Sequence, residues 1–313
     1  MNPFEHPAAP VGGARLLEVR RIWSAGRHNA FTDLLRHRGY WWCVFREAAR
    51  HVSPDGRLRL IASGDGAEWD SAALLEMPGK DLRDGKLNAL PDGRLMLLAA
   101  GVSRVDGASR RQSYVWFSRD GRQWTPPRPV GAPDDWLWRA SWHGDRCLSI
   151  AYRGERRFTT RLYLGNPAGE FSPWVDALCE EGNPNESALV FRTDGEAVAL
   201  LRRDPGHALL GRSQLPYRDW AWRECNVRIG GPQMVVLPDG RLVAGVRLYR
   251  GHIRTALCLV DLERSRLDEC LTLPSGGDNS YPGLVWHENR LWVSYYASHE
   301  GRTAIYLAQA AFD

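Results

Sequence analysis

"NESALVFRTDGEAVALLR", residues 185–202, places a carboxylate at Glu186 before one apolar run and a guanidinium at Arg202 after the next. β-Branched and large apolar residues fill both runs, and Thr193-Asp194-Gly195 supplies a turn between them, which predicts a two-stranded hairpin. For one hairpin, a salt bridge between Glu186 and Arg202 at the open end is a sufficient account of the two charges.

The same grammar recurs along the chain. It is found in "AFTDLLRHRGYWWCVFR" (30–46), "DGKLNALPDGRLMLLAA" (84–100) and "GPQMVVLPDGRLVAGVR" (231–247), and more loosely in "RASWHGDRCLSIAY" (139–152) and "YPGLVWHENRLWVSYY" (281–296). With Gly39, Gly93, Gly144, Gly195, Gly240 and Asn289 as turn positions, successive copies lie 54, 51, 51, 45 and 49 residues apart. That period suits a propeller blade. Turn signals such as "PDG", "TDG" and "HGD" punctuate strand patterns throughout, and no amphipathic stretch exceeds a turn or two of helix.

The expectation is an all-β chain folded as a six-bladed β-propeller with four-stranded antiparallel blades, one domain over residues 1–313. In this fold the quoted repeats supply the hairpins nearest the axis. The early segment "LLEVRRIW" (16–23) is expected to pair in the same blade as the C-terminal strands, because an unpaired sheet edge invites association.

Composition narrows the partners. The chain carries 41 basic and 37 acidic residues, and all but Lys80 and Lys86 of the basic ones are arginines. They alternate with acids instead of forming blocks, so nucleic acid is not expected as a partner. "MNPFEHPAAPVGGA" lacks the basic start and apolar stretch of a leader, and no apolar run is long enough to span a membrane. Cys43, Cys147, Cys179, Cys225, Cys258 and Cys270 show no CxxC spacing, and several fall inside apolar strands. Buried free thiols in a reducing compartment are expected, hence a cytoplasmic location. No zinc, calcium or nucleotide motif appears, so no metal or cofactor is expected.

"SGDGAEW" (63–69) and "SRDGRQW" (118–124) share Ser-x-Asp-Gly-x-x-Trp and look like shortened Asp-boxes. The Asp and Ser of such a turn can satisfy backbone N–H groups while the Trp packs between strands, a structural role.

In a propeller, equivalent repeat positions form a ring around one pocket. Seven residues past the turn positions stand Arg46, Ala100, Ala151, Arg202, Arg247 and Tyr296. Arginines gathered around one cavity imply an anion, and a carboxylate matches planar guanidinium groups best. The opposite ends of the repeats carry Asp84, Glu186 and Tyr281.

"NESALVFRTDGEAVALLR" resembles the glutamate-to-arginine segment of exo-sialidases, and "SYPGLVWHENRLWVSYY" resembles the segment bearing their tyrosine nucleophile. The resemblance to the sialidase superfamily runs in order along nearly the whole chain. It implies a retaining exo-α-glycosidase acting on an acidic-sugar glycoside, with a terminal 2-keto-3-deoxy acid such as sialic acid, Kdn, Kdo, pseudaminic or legionaminic acid. Tyr281 would attack the anomeric carbon and Glu186 would take or modulate its proton; a neutral phenol avoids repulsion by the carboxylate that such an anomeric carbon bears.

Arg202 and Arg247 would hold the substrate carboxylate. The family's Arg-Ile-Pro is absent, "GRHNAFTDL" stands in its place, and Arg27 and Arg46 compete for the first carboxylate-binding position. The general acid would come from "REAARHVSPDGRLRL", as Asp55 or His51, although "SPDG" also reads as a surface turn. Asp84 resembles the substrate-binding aspartate of the second blade, with Arg83 or Lys86 available to neutralise it. The alternative function is a carbohydrate-binding propeller without catalysis, and oligomeric state is left open.

Overall fold

The computed structural model describes residues 13–155 and 157–313; the N-terminal stretch read above as lacking a leader lies outside the described residues up to Val11 and Gly12. Among the described residues there is no helix, and 24 strands form six four-stranded antiparallel sheets. The innermost strand of each sheet is the first strand of a quoted repeat: His28–His37, Asp81–Ala89, Trp136–His143, Pro184–Phe191, Ile229–Val236 and Ser280–His287. Each packs against the inner strand of the next blade, and Ser280–His287 packs against His28–His37, so the ring closes.

Closure is also made by strand pairing, because the last blade takes strands from both ends of the chain. Ala14–Trp23 pairs antiparallel with Ala304–Phe312 as its outermost strand, which protects an edge that would otherwise expose unpaired N–H and C=O groups. Apolar side chains of adjacent blades interlock between the sheets. Val44, Leu58 and Leu60 of the first blade meet Leu82 and Leu97 of the second, and Ala188, Val198 and Leu200 of the fourth meet Met234 and Val246 of the fifth. The six cysteines are buried in these layers, and none is bonded.

The two Ser-x-Asp-Gly-x-x-Trp turns are built alike. Asp65 Oδ1 accepts the N–H groups of Ala67 and Glu68 at 2.8 and 3.1 Å, and Asp120 Oδ1 accepts those of Arg122 and Gln123 at 2.9 and 2.8 Å. Ser63 and Ser118 each accept a glycine N–H at 2.8 Å, and each Trp indole donates to that glycine's carbonyl. The glycines are required: Gly66 and Gly121 have φ of +80° and +71°, and a Cβ on them would run into the rings of Trp292 and Trp42.

One irregularity repeats in every blade and positions the site. Each inner strand shifts register at the same level, leaving two residues opposite one: Phe31-Thr32, Asp84-Gly85, Trp138-Arg139, Asn185-Glu186, Gly231-Pro232 and Tyr281-Pro282. Such bulges bend a strand and re-aim its side chains. Phe31, Asp84, Gly231 and Tyr281 adopt left-handed φ of 62°, 54°, 54° and 51°, a conformation that non-glycine residues adopt at a cost.

Gly121→Ala places a methyl 2.2 Å from the Trp42 ring on a left-handed backbone. A loss of at least about 2 kcal/mol in unfolding free energy is expected. Urea denaturation checks this, and an unchanged midpoint would show that the turn does not lock the blades.

Candidate active site

Three blades converge on the Glu186 carboxylate. Its own hairpin brings Arg202 Nη1 to 2.7 Å from Oε1. The sixth blade brings the Tyr281 hydroxyl, which donates to the same oxygen at 2.6 Å, and the fifth brings the Gly231 N–H, which donates to Oε2 at 2.8 Å. The hairpin salt bridge is therefore present, and a phenol shares its acceptor. Arg202 Nη1 also lies 3.2 Å from the Tyr281 oxygen, while Nη2 pairs with Asp204 at 2.7 Å.

Gly231 has no substitute at this point. A Cβ there would stand 2.7 Å from the Tyr281 ring, so only glycine lets the N–H reach Glu186 with the phenol packed against it. The ring of Tyr281 is otherwise enclosed by Phe31 at 5.0 Å, Trp138 at 6.0 Å and Tyr296 at 6.1 Å between centroids. The Arg247 guanidinium lies over it at 5.2 Å, within cation–π range.

Electrostatics follow from this packing. Burial, reinforced by Glu186, pushes the Tyr281 phenol well above its ordinary range, against the pull of Arg202 and Arg247; the group is neutral near neutral pH. Burial opposes the charge on Arg202, but Glu186 and Tyr281 outweigh it and hold the guanidinium protonated. Arg247 is likewise held charged despite burial, by Tyr296, Tyr281, Tyr249 and Asp278.

On the second blade, burial pushes the Asp84 carboxyl up to about 6, while Lys86 and Arg83 pull it back. Its Oδ1 is buried with no partner among the described residues, as are Trp138 Nε1 and Arg202 Nε. Lys86 is pulled down to about 8 by burial and by Arg139, against Asp33, Asp84 and Glu186. The Lys86 ammonium donates to the Thr32 carbonyl at 3.3 Å, and Asp33 pairs with Arg139 at 2.7 Å. These polar groups fasten the first three blades to one another near the axis.

Of the residues singled out from sequence, Tyr281, Glu186, Arg202 and Arg247 come together. Asp84 stands close enough to Glu186 for that carboxylate to add to the upward push on the Asp84 carboxyl. Arg83 lies over the Phe31 ring at 5.1 Å and donates to the His51 carbonyl at 3.0 Å, and His51 packs edge-on against the same ring at 5.2 Å.

Three residues stand apart. Arg46 is fully buried, and its three nitrogens are spent on Asp81 at 2.7 Å, the Arg50 carbonyl at 3.0 Å and the Ser53 carbonyl at 3.1 Å; it fastens the first blade to the second. Arg27 is exposed and lines a surface hollow with Asp55, Glu47 and Arg57. The Asp55 carboxylate accepts the Ala49 N–H at 3.0 Å, and its hydrogen bonds, first that from Ser53, lower its pKa. That is the chemistry of a turn.

Sequence reasoning missed Asp278, His28 and Asp204. Asp278 receives His51 Nδ1 at 2.6 Å, His28 Nε2 at 3.1 Å and the Tyr296 hydroxyl at 2.8 Å. The available signal was proximity in sequence: Asp278 precedes Tyr281 by three residues and Asp204 follows Arg202 by two. His28, His51 and Asp278 also have the mutual spacing of metal ligands, assembled from segments too far apart in sequence to form a motif.

No protein-family model matches the chain, and comparison with curated proteins finds no match. Comparison with solved structures establishes the class, a six-bladed β-propeller architecture that sialidases and arabinanases also have. A protein of unknown function from Dyadobacter fermentans is 21% identical over 97% of this chain and 100% of that one, with a TM-score of 0.86. Penicillium chrysogenum α-L-arabinanase, complexed with arabinobiose, is 13% identical over 94% and 98%, TM-score 0.73. Trypanosoma rangeli sialidase is 10% identical over 96% of this chain and 60% of its own, TM-score 0.68. At these identities the likeness is one of fold.

Asp84 ties the site to pH. Its folded pKa is raised to about 6, so its contribution to stability is fully present below about pH 4 and is lost as pH rises through about 6. Asp84→Asn removes a buried carboxylate that costs about 3 kcal/mol once ionised. The variant is expected to be more stable than the parent at neutral pH, with the gap closing in acid. Denaturation at both pH values checks this; a destabilised variant at neutral pH contradicts it.

Proposed function

We propose that the protein is a retaining exo-α-glycosidase that hydrolyses a terminal 2-keto-3-deoxy acid sugar. The observation that carries this reading is the Tyr281 hydroxyl held 2.6 Å from Glu186 between two arginines. A phenol is a poor nucleophile until its proton has an acceptor, and Glu186 is in hydrogen-bond contact with that proton. Arg202 and Arg247 stand beside the attacking oxygen and pull its phenol toward the charged form, and guanidinium groups at that point favour a substrate whose anomeric carbon bears a carboxylate. An anionic nucleophile would be repelled there, whereas the neutral phenol is not.

In the first half-reaction the Tyr281 oxygen bonds to the anomeric carbon, its proton passes to Glu186, and the glycosidic bond breaks with its electron pair going to the leaving oxygen. Water then attacks the same carbon, the Tyr281 oxygen leaves and recovers its proton from Glu186, and the proton that the water sheds balances the one taken up by the leaving oxygen. Two displacements retain the anomeric configuration. The sialidase and arabinanase activities of proteins with the same propeller support glycosidase chemistry in general. The missing Arg-Ile-Pro and the "GRHNAFTDL" in its place favour a glycone other than N-acetylneuraminic acid. A binding propeller without catalysis is disfavoured, because sugar binding has no need of a phenol that donates to a buried carboxylate, the pair that Tyr281 and Glu186 form.

The test is release of 4-methylumbelliferone from a panel of 2-keto-3-deoxy acid α-glycosides, with an α-L-arabinofuranoside as the neutral comparison. One acidic glycone is expected to turn over, with kcat falling at least about 10³-fold in Tyr281→Phe and about 10²–10⁴-fold in Glu186→Gln. Saturable binding without turnover supports the binding propeller; turnover of the arabinoside alone contradicts the acidic-sugar reading.

A further inference from the structure

The displacement above needs a proton for the leaving oxygen, and neither Tyr281 nor Glu186 supplies it. The leaving group of an exo-acting enzyme faces solvent, so the donor must stand on the outer side of the site. His51 meets that requirement. It lies on the loop after the first-blade strand Tyr40–Ala48, its side chain is 47% exposed, and the neighbouring Val52 is 71% exposed. Phe31 bridges it to the buried phenol, packing edge-on against His51 at 5.2 Å and Tyr281 at 5.0 Å.

The imidazole is oriented. Nδ1 lies 2.6 Å from Asp278 Oδ2, and His28 Nε2 approaches the same oxygen at 3.1 Å. Asp278 Oδ1 accepts the Tyr296 hydroxyl at 2.8 Å and faces Arg247 Nη2 at 3.4 Å. Burial pushes the Asp278 carboxyl up, but the hydrogen bonds from His28 and His51 outweigh it and hold the group well below the carboxylate range. An ionised Asp278 accepts from Nδ1 and leaves Nε2 for the substrate.

We propose that His51, fixed by Asp278, is the acid and base of this glycosidase, protonating the leaving oxygen through Nε2. The proposal rests on the function argued above. As the glycosidic bond breaks, the Nε2 proton of the imidazolium passes to the departing oxygen. The neutral imidazole then takes a proton from the water that attacks the anomeric carbon, which restores the imidazolium. Each cycle consumes one water and leaves both residues as they began. An imidazolium also suits the surroundings: it discharges to a neutral group, whereas a carboxylic acid would add an anion beside an anionic substrate, Glu186 and Asp278. Asp55 is engaged in its turn by the Ala49 N–H, and Asp84 is buried beside Lys86.

Loss of an acid matters most when the leaving group is poor. The test compares kcat/KM of His51→Gln and the parent on two ketosides of one glycone, a 4-methylumbelliferyl and a methyl ketoside. A loss of about 10²–10⁴-fold is expected on the methyl ketoside, and less than about 10-fold on the aryl ketoside. Asp278→Asn, as a positioning residue, is expected to show the same split to a smaller degree, a signature that a structural role would not give. Equal losses on both substrates, or none, overturn the assignment. Activity abolished by EDTA and restored by Zn²⁺ also overturns it, in favour of a metal held by His28, His51 and Asp278. A parent protein that hydrolyses neither ketoside overturns the glycosidase reading, and this assignment with it.

Discussion

The Glu186 carboxylate is the point on which the site depends. A buried carboxylate is stable only when its oxygens are satisfied by strong donors, and here the donors come from the guanidinium of its own hairpin, the phenol of the sixth blade and a backbone N–H of the fifth. The guanidinium shares a hairpin with the carboxylate, whereas the N–H and the phenol come from the two blades that follow, so all three donors meet only where the fourth, fifth and sixth blades pack side by side. Packing of these three blades and assembly of the carboxylate site are thus one event, and the strand Ala14–Trp23 completes the last of the three.

The second constraint is the bulge in each inner strand. In a regular strand, side chains alternate between the two faces. Two residues opposite one break that alternation, and the residues that break it include Asp84, Glu186 and Tyr281. Left-handed backbone at non-glycine positions costs about 1–3 kcal/mol each. The well-packed layers between blades offset it, and Gly231 provides the space in which the Tyr281 ring rests. Among the described residues, buried polar atoms without partners occur at this level on Asp84, Trp138 and Arg202.

Much of this architecture was legible before any coordinates. A strand-period repeat with turn residues at fixed offsets specifies blades, and the terminal strand and the two Ser-x-Asp-Gly-x-x-Trp turns followed from local chemistry. Offset counting was less secure for the site, because it gives a place within a blade and not the partner from the next one. Arg46 and Arg247 share an offset, yet Asp81 claims Arg46 while Arg247 lies over Tyr281. Arg202 shares that offset too but lies opposite the bulge, and Arg203 pairs with Pro184 in its stead. Asp278 could not be found by counting at all, since its partners His28 and His51 lie more than 200 residues away in the chain.

The most direct test of the tyrosine mechanism is to trap its intermediate. A 2,3-difluorinated 2-keto-3-deoxy acid sugar carries a leaving group good enough for the first displacement and a substituent that slows the second. Intact-mass and peptide mapping of the treated protein should find one glycosyl group on Tyr281, slowly lost as activity returns. A glycosyl group on a carboxylate such as Glu186, or steady turnover with inversion and no adduct, would contradict the account.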